Sequence, residues 1–117
     1  MAFTFSHRVQ GSAQIITIQG FVDGPAGRQL LEHVKKQAGG PTPNFVFDFS
    51  ACTLVNSTAM GELIEMVSLN VEKRTVRFFL CGISPTLRFA LNEVGILQLA
   101  RECNSLANAI VQANTPD

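Results

Sequence analysis

This sequence of 117 residues contains no tryptophan and no tyrosine, and its nine aromatic residues are all phenylalanine. Without a phenol hydroxyl or an indole N–H, such aromatic mass is suited mainly to a core. Cysteine is sparse. Cys52, Cys81 and Cys103 are odd in number, far apart and flanked by apolar residues. They form no C-x-x-C pair, so neither a disulfide framework nor a metal site is expected, and free buried thiols in a reducing compartment are. No stretch approaches the roughly 18 apolar residues that a membrane span requires. The opening Met-Ala-Phe-Thr-Phe-Ser-His-Arg has neither the charged start nor the apolar centre of a signal peptide. The expected location is therefore cytoplasmic, without membrane insertion. An excess of one charge is also missing, with nine basic residues against nine acidic ones and a pI near 6.7. Binding to nucleic acid driven by a basic patch is not expected.

What the chain does have is 46% hydrophobic and 15% charged residues, the balance of one globular domain spanning residues 1–117. Phe3, Phe5 and Val9 suggest a half-buried first strand, and the β-branched run Gln14 to Gln19 a second. Gly11-Ser12 between them predicts a hairpin. After Gly20-Phe21-Val22, a helix capped by Asp23 or Gly24 carries Pro25 in its first turn and Ala26, Leu30, Leu31 and Val34 on one face. Gly39-Gly40-Pro41 ends it.

Asn44 to Ser50 reads as a central strand, with Leu54-Val55 following after a short loop. A helix is predicted from about Ser57 to Glu72, with Met60, Leu63, Ile64, Val67 and Val71 at helical spacing. Then come a strand over Thr75 to Cys81 and a helix from Ser84-Pro85 to Asn92 bearing Leu87, Phe89, Ala90 and Leu91. Gly95 is placed to end that helix, Ile96 to Leu99 reads as a short strand, and Ser105 caps a final helix. Alternation of this kind predicts an α/β fold: a mixed, mostly parallel sheet with four helices and an N-terminal β-hairpin.

Most catalytic signatures are missing. Gly24-Pro25-Ala26-Gly27 does not supply a dinucleotide loop, and no phosphate-cradling G-x-x-x-x-G-K-[ST] occurs. His7 and His33 lie in different elements without motif spacing and are expected as solvated surface residues. Asp48 sits in a strand as a phosphorylatable aspartate would, yet only Asp23 stands with it and no lysine follows Lys73. Ser57 lacks the nucleophile-elbow sequence. The expectation is a protein that is not an enzyme and needs no cofactor.

The segment that remains is Leu54-Val55-Asn56-Ser57-Thr58-Ala59-Met60-Gly61, where a strand gives way to a helix. Capping explains one or two of its polar residues, since Asn56 or Ser57 can accept a hydrogen bond from a first-turn amide, worth about 1 kcal/mol. Hydroxyls in a first turn are also within reach of a kinase. A phosphate there adds about −1.5 to −2 charge at the positive end of the helix dipole.

Gly20-Phe21-Val22-Asp23, Phe45 to Ser50, and Asn56-Ser57-Thr58-Ala59-Met60-Gly61 resemble the STAS domain of bacterial anti-sigma factor antagonists, whose central motif reads D-S-[ST]-G-[LM]-G. Gly82-Ile83-Ser84-Pro85 and Val94-Gly95-Ile96 are similar to later elements of that family, and the resemblance spans about residues 14–111. It implies a protein–protein switch, in which the unphosphorylated antagonist binds an anti-sigma factor, often itself a serine kinase, and phosphorylation releases it. The aligned acceptor is Ser57, with Thr58 as second candidate. Asp23, Asn56, Ser57, Thr58 and Met60 would form the partner-binding face. Asn56 replaces the usual aspartate and Ala59 the usual glycine. A second function that the resemblance leaves open is a STAS-type accessory subunit of a transport complex, such as a lipid-transporting ATPase, working without phosphorylation. A third is a small enzyme or ligand carrier on the same fold. Pairing of the Phe-rich first strand with another copy, giving a homodimer, is open as well.

Overall fold

The computed structural model describes residues 2–116. Five strands form one sheet in sequence order: β1 (Thr4–Gln10), β2 (Ala13–Val22), β3 (Asn44–Val55), β4 (Arg77–Cys81) and β5 (Arg101–Glu102). β1 runs antiparallel to β2, and all other pairings are parallel. The helices are α1 (Gly24–Gln37), α2 (Ser57–Val67), the single turn α3 (Leu69–Glu72), α4 (Pro85–Glu93) and α5 (Leu106–Ala113). The expected α/β architecture with its N-terminal hairpin is present. Among the described residues no helix is long and apolar enough to cross a membrane.

The two-residue period of the strands sorts the core into two layers. Ile16, Ile18, Phe45, Phe47, Phe78 and Leu80 face α1, α2 and α4 and meet Leu30, Leu31, Leu63, Met66 and Leu91. Their neighbours Ile15, Val46, Phe79 and Cys81 face the other way, onto Ala109 and Ala113 of α5. Phe45, Phe47 and Phe78 stack with ring centroids 5.6–6.5 Å apart. Each fully buried ring of this kind stabilises the fold by about 2–3 kcal/mol.

Local chemistry sets the helix starts. Asp23, Asn56, Ser84 and Ser105 each adopt an extended backbone and accept a hydrogen bond from the amide three residues on. Pro25 and Pro85 occupy first-turn positions, where a missing N–H costs nothing.

The structure corrects several boundaries. β3 is unbroken from Asn44 to Val55, because Ala51 and Cys52 stay paired with Gln19 and Gly20 through a local register irregularity. β4 ends before this extension, so Ala51, Cys52 and Leu54 pair on one side only. The helix expected to reach Glu72 breaks at Ser68, whose hydroxyl bonds back to the Ile64 carbonyl at 2.7 Å. Ile96–Gln98 is a 3-10 turn, not a strand; Gly95 enters it with φ +83°, and the edge strand comes later, at Arg101–Glu102. Val9 is 58% exposed instead of half-buried, and Phe89 is 69% exposed, outside the core expected for most of the aromatic residues. The thiols of Cys81 and Cys103 are buried as expected, while Cys52 is half-buried. Burial, the Asp48 carboxylate and Cys103 together push the Cys81 thiol up to about 12.

At the amino ends of the parallel strands a polar clasp closes the molecule. Arg77 Nε donates to Asn44 Oδ1 at 2.9 Å, and its Nη2 donates to the carbonyls of Ala113 and Thr115. The Arg77 guanidinium also lies over the Phe79 ring. Asn114 accepts from the Ser12 amide at 2.8 Å and donates to the Gln10 carbonyl, so the last helix is tied to the first hairpin.

Candidate functional site

The carboxyl ends of β2, β3 and β4 lead directly into α1, α2 and α4, so three helix N-termini gather at one pole of the sheet. Val22 and Val55 are register partners, and the Asn56 amide donates to the Val22 carbonyl at 3.0 Å. This contact fixes the start of α2 beside the start of α1. Gly24 and Gly27 make the close approach feasible. A Cβ on Gly24 would sit 3.0 Å from the Thr58 methyl, and one on Gly27 would sit 3.1 Å from the Ala59 Cα.

Each sequence-predicted residue has a definite place here. Asp23 caps α1 through the Ala26 amide at 3.0 Å, and Asn56 caps α2 through the Ala59 amide at 2.9 Å. Ser57 and Thr58 are exposed in the first turn of α2. The Thr58 methyl leans toward Gly24, whereas the Ser57 hydroxyl stands at the rim of a groove. The first amides of a helix have no partner within it; with the Ala59 amide taken by Asn56, those of Ser57 and Thr58 remain at the helix end. Met60 is buried, and only its edge reaches the groove wall. Ala59 is fully buried and helical, with no positive φ, so alanine in place of glycine strains nothing.

The groove itself was not foreseen. It encloses about 470 Å³ between α2 and α4 and is lined by Val55, Met60, Ile64, Ala90 and Val94, with Glu93 as the one charged side chain on its wall. A smaller pocket of about 70 Å³ adjoins it through Val55 and Ala90, beside Cys52, Leu54 and Leu87. Leu54 is 56% exposed at this margin. Burial raises the pKa of the Cys52 thiol more than its hydrogen bond with the Leu54 backbone lowers it. The thiol is therefore neutral at physiological pH, and the groove carries little charge.

Behind the helix tips, Glu62 of α2 is buried and meets Arg28 of α1 at 3.0 Å. Its second oxygen, Oε1, is the one buried side-chain polar atom among the described residues without a hydrogen-bond partner. Lys35 and Glu65 form a second, exposed bridge between the same helices at 2.8 Å. Asp48, weighed above as an acceptor of phosphate, instead holds its own strand, with Oδ1 accepting from the Ser50 amide and hydroxyl. The described residues contain no group of three or more metal-ligating side chains.

The profile of the STAS domain matches residues 4–109. The chain belongs to the STAS domain family. Solved structures agree with this at the level of the fold. An anti-sigma factor antagonist from Mycobacterium paratuberculosis is 16% identical, with a TM-score of 0.78 over 97% of this chain and 96% of that one. RsbS of Moorella thermoacetica, in a form with one serine replaced by glutamate, is 22% identical, with a TM-score of 0.78 over 93% of each chain. A sulfate transporter family protein from Wolinella succinogenes is 24% identical, with a TM-score of 0.74 over 91% of this chain and 88% of that one. No curated protein sequence matches. The STAS fold thus accounts for the strand order and for the pole where α1 and α2 begin.

Proposed function

We propose that this STAS domain is a regulatory binding module of the anti-sigma factor antagonist kind, acting in the cytoplasm and switched by phosphate on Ser57. The observation that carries this reading is an exposed hydroxyl in the first turn of an eleven-residue helix, at the edge of an apolar groove. Partner contact would centre on Ser57, Thr58 and the caps Asp23 and Asn56, with the groove and the edge of Met60 supplying apolar area. The partner is an anti-sigma factor or a serine kinase of that type. Added to Ser57, a dianion is accommodated by the free amides and the dipole of α2, so the fold tolerates it. In an interface the same dianion must lose water and faces whatever acidic groups the partner presents. Ser57 is the first acceptor because it lines the groove and Thr58 does not.

The test is transfer of phosphate from ATP by kinases of the anti-sigma type, read by mass spectrometry on the parent and on Ser57→Ala. Parent labelled on Ser57 and an unlabelled variant support the switch; equal labelling of both would falsify it. Binding of the same kinase by Ser57→Asp should be weaker by a factor of about 10 or more.

One feature favours a second reading, a static subunit of a transport complex. Asn56 caps the helix without charge, and the first turn of α2 holds no carboxylate that a kinase could use. That reading gains if Ser57 takes no phosphate and affinity capture returns permease or ATPase subunits bound equally by parent and Ser57→Asp.

A further inference from the structure

The two edges of the sheet differ sharply. β5 is two residues long and charged, and Glu102 is held by Arg88 through contacts of 2.6–3.0 Å. Such an edge is blunted against further pairing. β1 is longer, and its one charged residue, Arg8, is bonded to Gln10 of the same strand. It runs seven residues, Thr4–Gln10, without proline or lysine, and it matches β2 one for one without a bulge.

Its hydrogen-bonding phase follows from the turn. Gly11 and Ser12 form a two-residue loop, with Gly11 at φ +65° and Ser12 not at positive φ, as in a type II′ turn. Gln10 and Ala13 then form a hydrogen-bonded pair, and so do Arg8, Ser6 and Thr4 with their partners on β2. Phe5, His7 and Val9 therefore aim their backbone N–H and C=O groups outward. His7 is also the midpoint of the strand.

We propose that β1 is the seam for a second copy of this chain, paired antiparallel about a two-fold axis through His7. In this register Phe5 opposes Val9 of the second copy, His7 opposes His7, and Ser6 opposes Arg8. The whole strand is used, with about six new backbone hydrogen bonds. On one face, the exposed Val9 and half-buried Phe5 cover each other. On the other, Arg8 meets a neutral hydroxyl and not a second arginine. None of the residues lining the α2–α4 groove comes from β1, so a dimer presents two copies of that site.

The seam is also sensitive to protons. The His7 ring lies 4.6 Å from that of His33 on α1, so the two histidines are together and not separately solvated. The His33 ring is half-buried, meets Phe5 edge-on and hydrogen-bonds to the buried Gln14 side chain. Burial first, then His7, then Lys36 hold His33 below its ordinary pKa. Opposite His7 on β2 is the neutral Ile16, and Arg8 points to the other face. Pairing two copies brings the two His7–His33 ring contacts together, and a proton added to His33 opposes association.

Sedimentation velocity of the full chain across a micromolar dilution series tests the proposal, together with amide hydrogen exchange. At about pH 8 the mass should be that of two chains at high concentration, and at about pH 5 that of one. The Phe5, His7 and Val9 amides should be protected in the dimer. Val9→Pro removes an outward donor and leaves the β1–β2 ladder intact, so it should weaken pairing about tenfold or more. Val9→Lys should weaken it in the same direction if the proline variant does not fold. A single chain at every concentration overturns the proposal. So does a dimer in which those three amides exchange freely, one that resists every folded Val9 variant, or one that persists unchanged at low pH.

Discussion

At the amino ends of the parallel strands, Ser12, Asn44, Arg77 and Asn114 direct their polar groups at one another and at the last helix. At the carboxyl ends, Asp23, Asn56 and Ser84 each give one acceptor to a helix amide and otherwise face outward. One pole is cross-linked through side chains distant in sequence; the other is a set of local caps around a groove. A cross-linked pole contributes stability. A pole of local caps can lose a side chain, or gain a phosphate, without unfolding the domain.

Substitutions should separate the two poles. Arg77→Ala removes several charge-assisted hydrogen bonds and the stacking on Phe79, and should cost about 3 kcal/mol in urea unfolding. Partner binding at the far pole should be unchanged. Asn56→Ala deletes one cap and should cost about 1 kcal/mol by the same measurement. A loss comparable to that of Arg77→Ala would mean that both poles carry the fold.

Acidification should produce a smaller effect. The pKa of His33 is lowered on folding, so the stability it contributes is present above its ordinary value of 6.5 and lost as pH falls below it. A thermal-melt series from neutral to mildly acidic pH should show this decline, and His33→Gln should flatten it. Smallest of all, Ser57→Ala and Phe89→Ser should shift stability by less than about 0.5 kcal/mol, since both side chains are exposed. If Ser57→Asp leaves binding of an anti-sigma-type kinase untouched, the groove pole is not where that partner docks.

Much of this was legible from residue order. The four caps, the helix-opening prolines and the Gly11-Ser12 turn act over a few residues, so their signals are local. Ile96 to Leu99 misled because three apolar residues around one glutamine suit a strand or a tight helical turn equally, and only the left-handed Gly95 decides. The continuity of β3 through Ala51-Cys52-Thr53 depends on its pairing with β2, a partner some thirty residues distant along the chain. Asn56 and Ser57 could be placed at a strand–helix junction from the sequence. The groove beside them could not, because its walls come from β3, α2 and α4 and exist only after packing. The same holds for His7 and His33, which share no spacing and meet across a strand and a helix.

The bond from Asn114 to Ser12 spans 102 residues. During synthesis, the opening hairpin emerges long before the helix that fastens it. Until that helix clears the ribosome, the hairpin's turn lacks its clasp. Such late closure slows folding and prolongs the interval in which a nascent chain can pair with the wrong neighbour.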